Sequence, residues 1–302
     1  MRVLITGITG LLGAEAAAVL TSRGHQVLGV SRSYSGEVAG CRVVPAVYGS
    51  DSFNGLLADV DAVVHLAARR GGQEPIENFV ADITTADNII RGCEAAGVQT
   101  CVLASSISVY DPALTLPWSE DHTGTPRNSY GIAKLAIEQL GSIHAREGKT
   151  RVVSLRFGHL YGAFENTPHM INTFLKTAAE GKPLKVCPPS EKRRDMTYVA
   201  DAAEAIALAL GDENQPMDNV EGSFNIGSGA AVSNFEIAQI VSEVFNIPEP
   251  TIVDEWADTS IPSLMDLTRA VEVLKYQPAY DFVSGVTDIR NRLLAASNLS
   301  NS

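Results

Sequence analysis

The sequence predicts an α/β protein built on a doubly wound parallel sheet. In the first half of the chain, short apolar runs rich in β-branched residues alternate with segments of helical periodicity, a pattern typical of a sheet covered by helices on both faces. The runs are apolar at consecutive positions, as expected for strands that are buried on both sides. They lie at residues 2–6, 26–30, 43–44, 61–66, 99–104 and 151–156.

Helices are predicted between these strands, at residues 11–23, 75–96 and 128–146, with Gly24 as the stop signal of the first. After about residue 160 the elements become shorter. We expect strands there at 183–186 and 224–226, and helices at 170–180, 198–210, 233–244, 264–274 and 283–295. The sequence therefore predicts a parallel-sheet domain over 1–160 and a smaller C-terminal α/β lobe over 161–302, part of which returns to the first domain.

The composition excludes several classes of function. The chain has 302 residues and a formal net charge of −12, which argues against a nucleic-acid partner. No apolar run reaches the roughly 18 residues of a membrane span, and the N-terminal run is too short for a signal peptide, so we expect a cytoplasmic protein. The cysteines form no C-x-x-C pair, which indicates neither a metal site nor a disulfide framework. They are Cys41, Cys93, Cys101 and Cys187.

The first predicted strand runs directly into a glycine-rich turn and then into a helix. Residues 6–13 read TGITGLLG, and this context is typical of a Rossmann-type dinucleotide-binding site. The first glycine permits a tight turn, the second lets the backbone approach a pyrophosphate, and the third lets the helix pack closely on the sheet. Backbone N–H groups at the helix start then face the phosphates. The predicted cofactor-binding residues of this loop are Gly7, Gly10, Leu11, Leu12 and Gly13.

The end of the second predicted strand indicates which dinucleotide is preferred. Sites for NAD usually have Asp or Glu there, to bind the ribose hydroxyls. This chain has Ser31 and Arg32, a hydroxyl and a guanidinium that suit a 2′-phosphate. We therefore favour NADP as the cofactor, and NAD is the alternative if Arg32 stacks on the adenine or points into solvent.

Two chemically active side chains lie four residues apart on one predicted helix. Tyr130 and Lys134 share a helix face, and an ammonium group beside a phenol favours the phenolate, which can accept a proton. Lys134 can also bind the nicotinamide ribose. The spacing arises by chance as well, so the context decides: Ser106 follows a predicted strand, and parallel sheets bind ligands beyond the carboxyl ends of their strands. Ser106, Tyr130 and Lys134 form the predicted catalytic group.

These motifs, taken in order, resemble those of the extended short-chain dehydrogenase/reductases. More narrowly, the chain resembles the NAD(P)-dependent epimerase/dehydratase family, which acts on nucleotide sugars. The similarity covers nearly the whole chain. Beyond the motifs above it includes HLAA at 65–68, RFGHLYG at 156–162, RDMTYVAD at 194–201, FNIGSG at 224–229 and a late segment at 266–278.

The resemblance implies further residues at the cofactor and at the substrate. Those expected to line the cofactor are Ala67, Ala68 and Arg70. Those expected to face the substrate are Ser108, His169 and Arg194, with Arg194 on the phosphates of a nucleotide and His169 near the sugar diphosphate. The alternative interpretation of Arg194 is that it belongs to a solvent-exposed charge cluster. The alternative for His169 is that it lies at a helix start and has no chemical role. Asp82 and His159 stand where the family usually has Asn, so their roles are open.

The resemblance also limits the types of reaction that we expect. Ile107 and Ser108 stand where the 4,6-dehydratases of the family carry Asp-Glu, which disfavours the elimination of water. We therefore expect hydride transfer at a carbinol or ketone carbon, by a nucleotide-sugar epimerase or, alternatively, by an NADPH-dependent ketoreductase acting on a keto-sugar or another small ketone. A non-catalytic dinucleotide-binding regulator is disfavoured, because Tyr130 and Lys134 are both present. The family further implies a homodimer formed through helices 78–96 and 128–146.

Overall fold

A computed structural model describes residues 1–48, 50–69, 71, 74–122, 124–165, 167, 169–188, 190–211, 215, 217, 220–254 and 261–300. Its strands are β1 (Arg2–Thr6), β2 (Gln26–Ser31), β3 (Gly36–Val38), β4 (Cys41–Pro45), β5 (Ala62–His65), β6 (Thr100–Ser106), β7 (Arg151–Phe157), β8 (His159–Tyr161), β9 (Lys185–Val186), β10 (Arg193–Tyr198), β11 (Gly222–Ile226), β12 (Ala231–Ser233) and β13 (Thr251–Ile252). Its helices are α1 (Leu11–Ser22), α2 (Asp51–Asn54), α3 (Glu77–Ala96), α4 (Ser129–Glu147), α5 (Met170–Ala179), α6 (Val199–Leu210), α7 (Asn234–Phe245) and α8 (Phe282–Ser300). None of the helices in these ranges is both long and apolar enough to cross a membrane.

The large sheet has eight strands in the order β11-β7-β6-β5-β1-β2-β4-β3. Its neighbouring strands are parallel except for β3 and β4. From β1 the chain builds outward through β2 and β4 and then returns to place β5, β6 and β7 on the other side of β1. The reversal leaves a crevice at the carboxyl ends of β1 and β5, where open α/β sheets bind ligands. The predicted doubly wound fold is confirmed.

The register of the strands sets the level of the candidate catalytic residues. Thr6 at the end of β1 pairs with His65 at the end of β5, and His65 pairs with Leu103 in β6. Strand β6 therefore continues for about 10 Å past these ends, since each residue adds roughly 3.3 Å. This extension pairs with β7 and ends with Ser106 opposite Phe157. Ser106 thus stands above the crevice rather than at its floor.

Helices cover both faces of the sheet, and the sheet separates the apolar core into two layers. Successive residues of β1 point to opposite faces, so that Val3 and Ile5 pack in one apolar cluster and Leu4 in the other. Helices α1 and α6 pack together on the first face, and α3 and α4 on the second. Helix α6 and strand β11 follow residue 160, so the second part of the chain contributes a covering helix and an edge strand to the large sheet. The division at residue 160 itself stays a prediction.

The second part of the chain departs from expectation in its short strands and in one helix. The sequence does not predict β8, β10 and β12, which form a three-stranded sheet, or β13, which pairs with β9. The predicted helix at 264–274 is wrong in its first residues, because Ser263 and Met265 form bridges with Arg194 and Trp118 and helical turns begin at Thr268. Pairing with distant segments outweighs the local helical periodicity there.

Candidate active site

A cleft of about 640 Å³ opens at the carboxyl ends of β1, β5 and β6. A second cavity of about 480 Å³ adjoins it. Both are lined by the same group of side chains, namely Ile107, Ser108, Asn128, His159 and Arg194. The two cavities therefore form one continuous cleft between the large sheet and the second part of the chain.

The glycine loop has the geometry that a dinucleotide requires. Gly7 adopts a left-handed conformation (φ 72°), and a Cβ there would lie 2.7 Å from the backbone nitrogen of Ala67. A Cβ on Gly13 would overlap the carbonyl oxygen of Gly7, whereas among the described residues a Cβ on Gly10 would meet only that oxygen, at 3.4 Å. Helix α1 begins after Gly10 without a side-chain cap, so its first N–H groups are left for a ligand. The loop thus fits a pyrophosphate.

The residues expected to distinguish the two dinucleotides lie at the end of β2. The Ser31 hydroxyl accepts a hydrogen bond from the backbone N–H of Tyr34 at 3.0 Å, so it stabilises the turn that follows the strand. The Arg32 side chain is exposed. Tyr48, which the sequence does not single out, lies near it: burial raises the pKa of the Tyr48 hydroxyl, while a hydrogen bond from the Gly7 backbone and the charge of Arg32 act in the opposite direction. Tyr48 therefore lies near both the glycine loop and Arg32, and its hydroxyl donates a hydrogen bond to the carbonyl oxygen of Val30 at 3.4 Å.

The predicted catalytic group lies along one edge of the cleft, where Ser106, Tyr130 and Lys134 all line it. Lys134 is buried; its Nζ donates to the carbonyl oxygen of Ala104 at 2.7 Å and lies 5.7 Å from the centre of the Tyr130 ring. The Ser106 Oγ accepts a hydrogen bond from the backbone N–H of Ser108 at 3.1 Å, so its own proton remains available for a ligand. A phenol, an ammonium and a hydroxyl donor are the groups that general acid–base chemistry needs.

Two contacts fix Tyr130 relative to the turn that follows Ser106. The Asn128 side chain caps α4 by accepting a hydrogen bond from the backbone N–H of Gly131 at 2.8 Å. Gly131 also lies so close to the turn that a Cβ there would overlap the carbonyl oxygen of Ser108. The absent side chain lets the first turn of α4, which carries Tyr130, pack directly on the serine turn.

One turn after Lys134, a buried ion pair joins α4 to the sheet. The side chains of Glu138 and Arg156 are 2% and 8% exposed, and a carboxylate oxygen lies 2.7 Å from Arg156 Nη2. Glu138 also accepts hydrogen bonds from the hydroxyls of Ser105 and Ser223, and Arg156 donates to the hydroxyl of Tyr110. The position of α4, which carries Tyr130 and Lys134, thus depends on a buried polar network that includes the neighbour of Ser106.

The side chains predicted to face the substrate line the same cleft, next to the second part of the chain. Ser108, His169 and Arg194 all lie there, and Arg194 donates a hydrogen bond to the side-chain oxygen of Asn234. His159 lies among them, and burial, together with Arg194 and His169 nearby, lowers its pKa to about 3. This end of the cleft combines a guanidinium with two imidazoles, groups that can donate to phosphate oxygens.

Most of the predicted site residues line the cleft. They are Gly7, Gly10, Leu11, Leu12, Gly13, Ala68, Ser106, Ser108, Tyr130, Lys134, His169 and Arg194. Ala67 contacts Gly7 from the loop after β5, while Ser31 and Arg32 lie outside the lining. The predicted cofactor residue Arg70 falls outside the described residues. Within the described ranges, no three His, Cys, Asp or Glu side chains form a group that could hold a metal ion.

Some residues of the site are not found by sequence reasoning. Arg127 lines the second cavity just before the cap of α4, and an isolated arginine in a loop forms no motif. Asp82, whose role the sequence left open, accepts a hydrogen bond from the backbone N–H of Arg69 at 2.7 Å, so it holds the loop after β5. The signal for His159 was its place in a position where the resemblance leads one to expect Asn.

Acidification from pH 7 to pH 5 is expected to destabilise the protein by about 2 kcal/mol through His65 alone. His65 is buried against Thr6, and burial, with a further contribution from Lys134, lowers its pKa to about 3. In the unfolded chain a histidine has a pKa of about 6.5. The unfolded state therefore binds the proton first, and stability falls as the pH decreases from 6.5 towards 3. Denaturant unfolding at both pH values measures this loss.

The variant His65→Asn isolates this contribution from that of other groups. Because the variant has no imidazole at this position, the difference in unfolding free energy between it and the wild type is expected to change by about 2 kcal/mol between pH 7 and pH 5. A difference that is the same at both pH values would show that His65 is not buried in its neutral form.

Comparison with known proteins agrees with this geometry. The profile of the NAD dependent epimerase/dehydratase family matches residues 3–227. The structure of UDP-N-acetylglucosamine 4-epimerase from Bacillus cereus superimposes with a TM-score of 0.86 at 32% identity, over 96% of this chain and 98% of that one. MoeE5 in complex with UDP-glucuronic acid and NAD gives a TM-score of 0.84 at 26% identity, over 97% and 99%. A dTDP-4-dehydro-6-deoxy-D-allose reductase from Streptomyces sp is 27% identical, over 91% of each chain.

Proposed function

Because the chain belongs to the NAD-dependent epimerase/dehydratase family, we propose that it is a nucleotide-sugar epimerase that inverts a carbinol carbon. The observation that carries this proposal is the presence of Ser106, Tyr130 and Lys134 in one cleft with the glycine loop. A hydroxyl donor, a phenol and an ammonium at one edge can manage the proton of a sugar hydroxyl while its carbon is oxidised and reduced.

The chain's residues divide this task along the cleft. A nicotinamide dinucleotide, held at Gly7, Gly10 and Gly13, would supply the acceptor and donor of hydride. Ser106 donates a hydrogen bond to the reacting sugar oxygen, and Tyr130 takes the proton from that oxygen and later returns it. Lys134, anchored on the carbonyl of the β6 extension, places a positive charge beside the phenolate and stabilises it.

The substrate's diphosphate is assigned to the end of the cleft where Arg194 lies. A guanidinium can form two parallel hydrogen bonds with phosphate oxygens. His159 lies near both Arg194 and His169, and with its pKa lowered to about 3 it is a neutral imidazole that can donate a hydrogen bond to a phosphate oxygen beside the charged guanidinium. The similar Bacillus cereus protein is named for a UDP-sugar, which supports a nucleotide sugar as the substrate class here.

A ketoreductase is the second candidate function, and Arg32 is the observation that favours it. A site that prefers the 2′-phosphorylated cofactor suits net reduction of a ketone, because epimerases of this type typically retain NAD. The similarity to a keto-sugar reductase supports the same alternative. In that reaction Tyr130 would donate its proton to the carbonyl oxygen of the substrate and would not take it back.

Replacement of Arg32 by alanine is expected to weaken NADP binding by about 10- to 100-fold and to leave NAD binding within about 2-fold. The change removes a cation that is exposed at the end of β2 and suited to a 2′-phosphate, which NAD lacks. Titration of each dinucleotide by calorimetry measures both affinities. Arg23→Ala, at the exposed end of α1, is the matched control. An NADP affinity that Arg32→Ala leaves unchanged would rule out this role.

The oligomeric state of the protein and the separate roles of residues 1–160 and 161–302 are proposals as well. Helices α3 and α4 pack side by side and carry exposed apolar residues, with Val80 51%, Ile132 48% and Ile143 41% exposed. We propose that this face forms the interface of a homodimer.

Residues 161–302 are proposed to bind the substrate, because Arg194 and His169 both belong to that part.

The proposed function is tested with UDP-N-acetylglucosamine and UDP-glucose in the presence of NAD or NADP. Proton NMR follows the configuration of the sugar, and absorbance follows the reduced nicotinamide. An epimerase produces the 4-epimer without accumulation of reduced cofactor. Stoichiometric reduction of the added NAD or NADP, without the epimer, would instead show oxidation of the sugar to a ketone, which is the ketoreductase reaction run in reverse.

A further inference from the structure

The smaller cavity, of about 480 Å³, extends the catalytic edge of the cleft and is called the Arg127 cavity below. It is lined by Glu74, Ser108, Arg127, Ser129, His159 and Arg194, among others. Ser129 begins α4 and directly precedes Tyr130. The cavity shares Ser108 and Asn128 with the cleft that Tyr130 lines, so it adjoins the candidate catalytic group, and among the described residues its lining includes none of the glycine loop.

The Arg127 cavity carries positive charge that the reaction proposed above does not use. Arg194 and His159 are assigned to the diphosphate, whereas Arg127 has no assigned partner. Among the described residues, no hydrogen bond or ion pair of the Arg127 side chain is found. Glu74 is the carboxylate that lines the cavity, and it is engaged with Arg69 at 3.7 Å and with the Asn78 amide at 2.9 Å.

We infer from the geometry that the sugar bound in this cavity carries a carboxylate, and that Arg127 recognises it. This inference rests on the proposed nucleotide-sugar chemistry. A guanidinium binds a planar carboxylate through two parallel hydrogen bonds, and the hydroxyls of Ser108 and Ser129 line the same cavity as further donors. In a chain of net charge −12, a cation that is available at a substrate cavity favours an anionic group over a neutral one.

The position of Arg127 also indicates which carbon bears the carboxylate. Arg127 lies three residues before Tyr130, in the segment that leads into α4. When the hydroxyl at C4 of a hexose contacts Tyr130, the exocyclic carbon is attached to the adjacent ring carbon. A carboxylate there lies beside the reacting centre, and the cavity that Arg127 lines adjoins that part of the cleft. The inferred substrate class is therefore a nucleotide-linked hexuronic acid.

The test compares UDP-glucuronic acid with UDP-glucose, which differ in that exocyclic group. Calorimetry on the cofactor-loaded protein measures affinity, and NMR measures turnover of both sugars by the wild type, Arg127→Gln and Arg127→Lys. The wild type is expected to bind the acid about 10- to 100-fold more tightly than the neutral sugar, and Arg127→Gln to abolish this preference while its affinity for UDP-glucose stays the same. Arg127→Lys should retain part of the preference, since lysine keeps the positive charge but lacks the paired N–H donors of a guanidinium.

The matched control is Arg146→Gln, which also removes an exposed charge, at the far end of α4. Equal affinities of the wild type for the two sugars would overturn the inference, as would a preference that Arg127→Gln leaves intact or an equal loss on both sugars. If the binding preference for the acid depends on Arg127 but neither sugar is turned over, the carboxylate site is supported and the proposed epimerase activity is refuted. If UDP-glucose alone is converted, the epimerase stands and the carboxylate site fails.

Discussion

Replacement of Tyr130 by phenylalanine is expected to lower kcat by about 10²- to 10⁴-fold, the usual contribution of a positioned acid or base. The change removes the hydroxyl that takes the proton from the sugar oxygen. It leaves the ring, whose centre lies 6.0 Å from that of Phe79 and 5.7 Å from Lys134 Nζ. Affinity for the nucleotide sugar should therefore stay close to that of the wild type. Single-turnover NMR kinetics and calorimetry on the same preparation measure the two quantities.

The matched control for this change is Tyr34→Phe. Tyr34 is 44% exposed, and its hydroxyl bonds only to the backbone carbonyl of Glu37 among the described residues. The Tyr34→Phe variant should turn over the substrate at the wild-type rate. If Tyr130→Phe turns over at the wild-type rate, Tyr130 is not the acid/base, and the proton must be moved by another group in the cleft.

Replacement of Glu138 by alanine is expected to lower the free energy of unfolding by about 3–5 kcal/mol. Glu138 and Arg156 form a buried pair, and since a guanidinium is not deprotonated in proteins, Arg156 keeps its charge when the carboxylate is removed. An unpaired buried charge is strongly unfavourable. The hydroxyls of Ser105 and Ser223 lose an acceptor at the same time. Denaturant unfolding measures the loss.

Two further variants separate burial from charge. Glu138→Gln keeps an oxygen acceptor and should recover part of the loss. Asp59→Ala removes the carboxylate of an ion pair with Arg2 whose side chains are 82% and 55% exposed, and should change stability by less than about 1 kcal/mol. A change at Glu138 as small as that at Asp59 would mean that the pair contributes little to the fold.

The fold and the glycine loop were predictable because their signals are local. A buried parallel strand, a tight turn and a helix start each leave a pattern within about ten residues, and their order alone predicts the doubly wound sheet. The close approach of Gly13 to the Gly7 carbonyl is the tertiary consequence of that local pattern. The four-residue spacing of Tyr130 and Lys134 on a helix is also a local property, but Ser106 after a predicted strand was needed to single the pair out.

The rest of the site depends on contacts between distant segments. Arg156 meets Glu138 because β7 lies beside β6 and under α4, which no spacing in the sequence reveals. Strand β10 was missed because its RRDMTY sequence is charged at one end and gains its pairing from β8 and β12. Arg127 carries no motif, and only the shape of the cavity shows that it is near the candidate substrate site.

The central claim, that the chain inverts a carbinol carbon of a nucleotide sugar through Tyr130, is tested most directly with a substrate deuterated at the carbon to be inverted. The reaction is run in ordinary water, and the epimer is analysed by NMR and mass spectrometry. Inversion by removal and return of the same hydrogen predicts that the deuterium stays on that carbon in the product, and that Tyr130→Phe forms this product at least about 100-fold more slowly. Loss of the label to water, or labelled epimer formed by Tyr130→Phe at the wild-type rate, would contradict it.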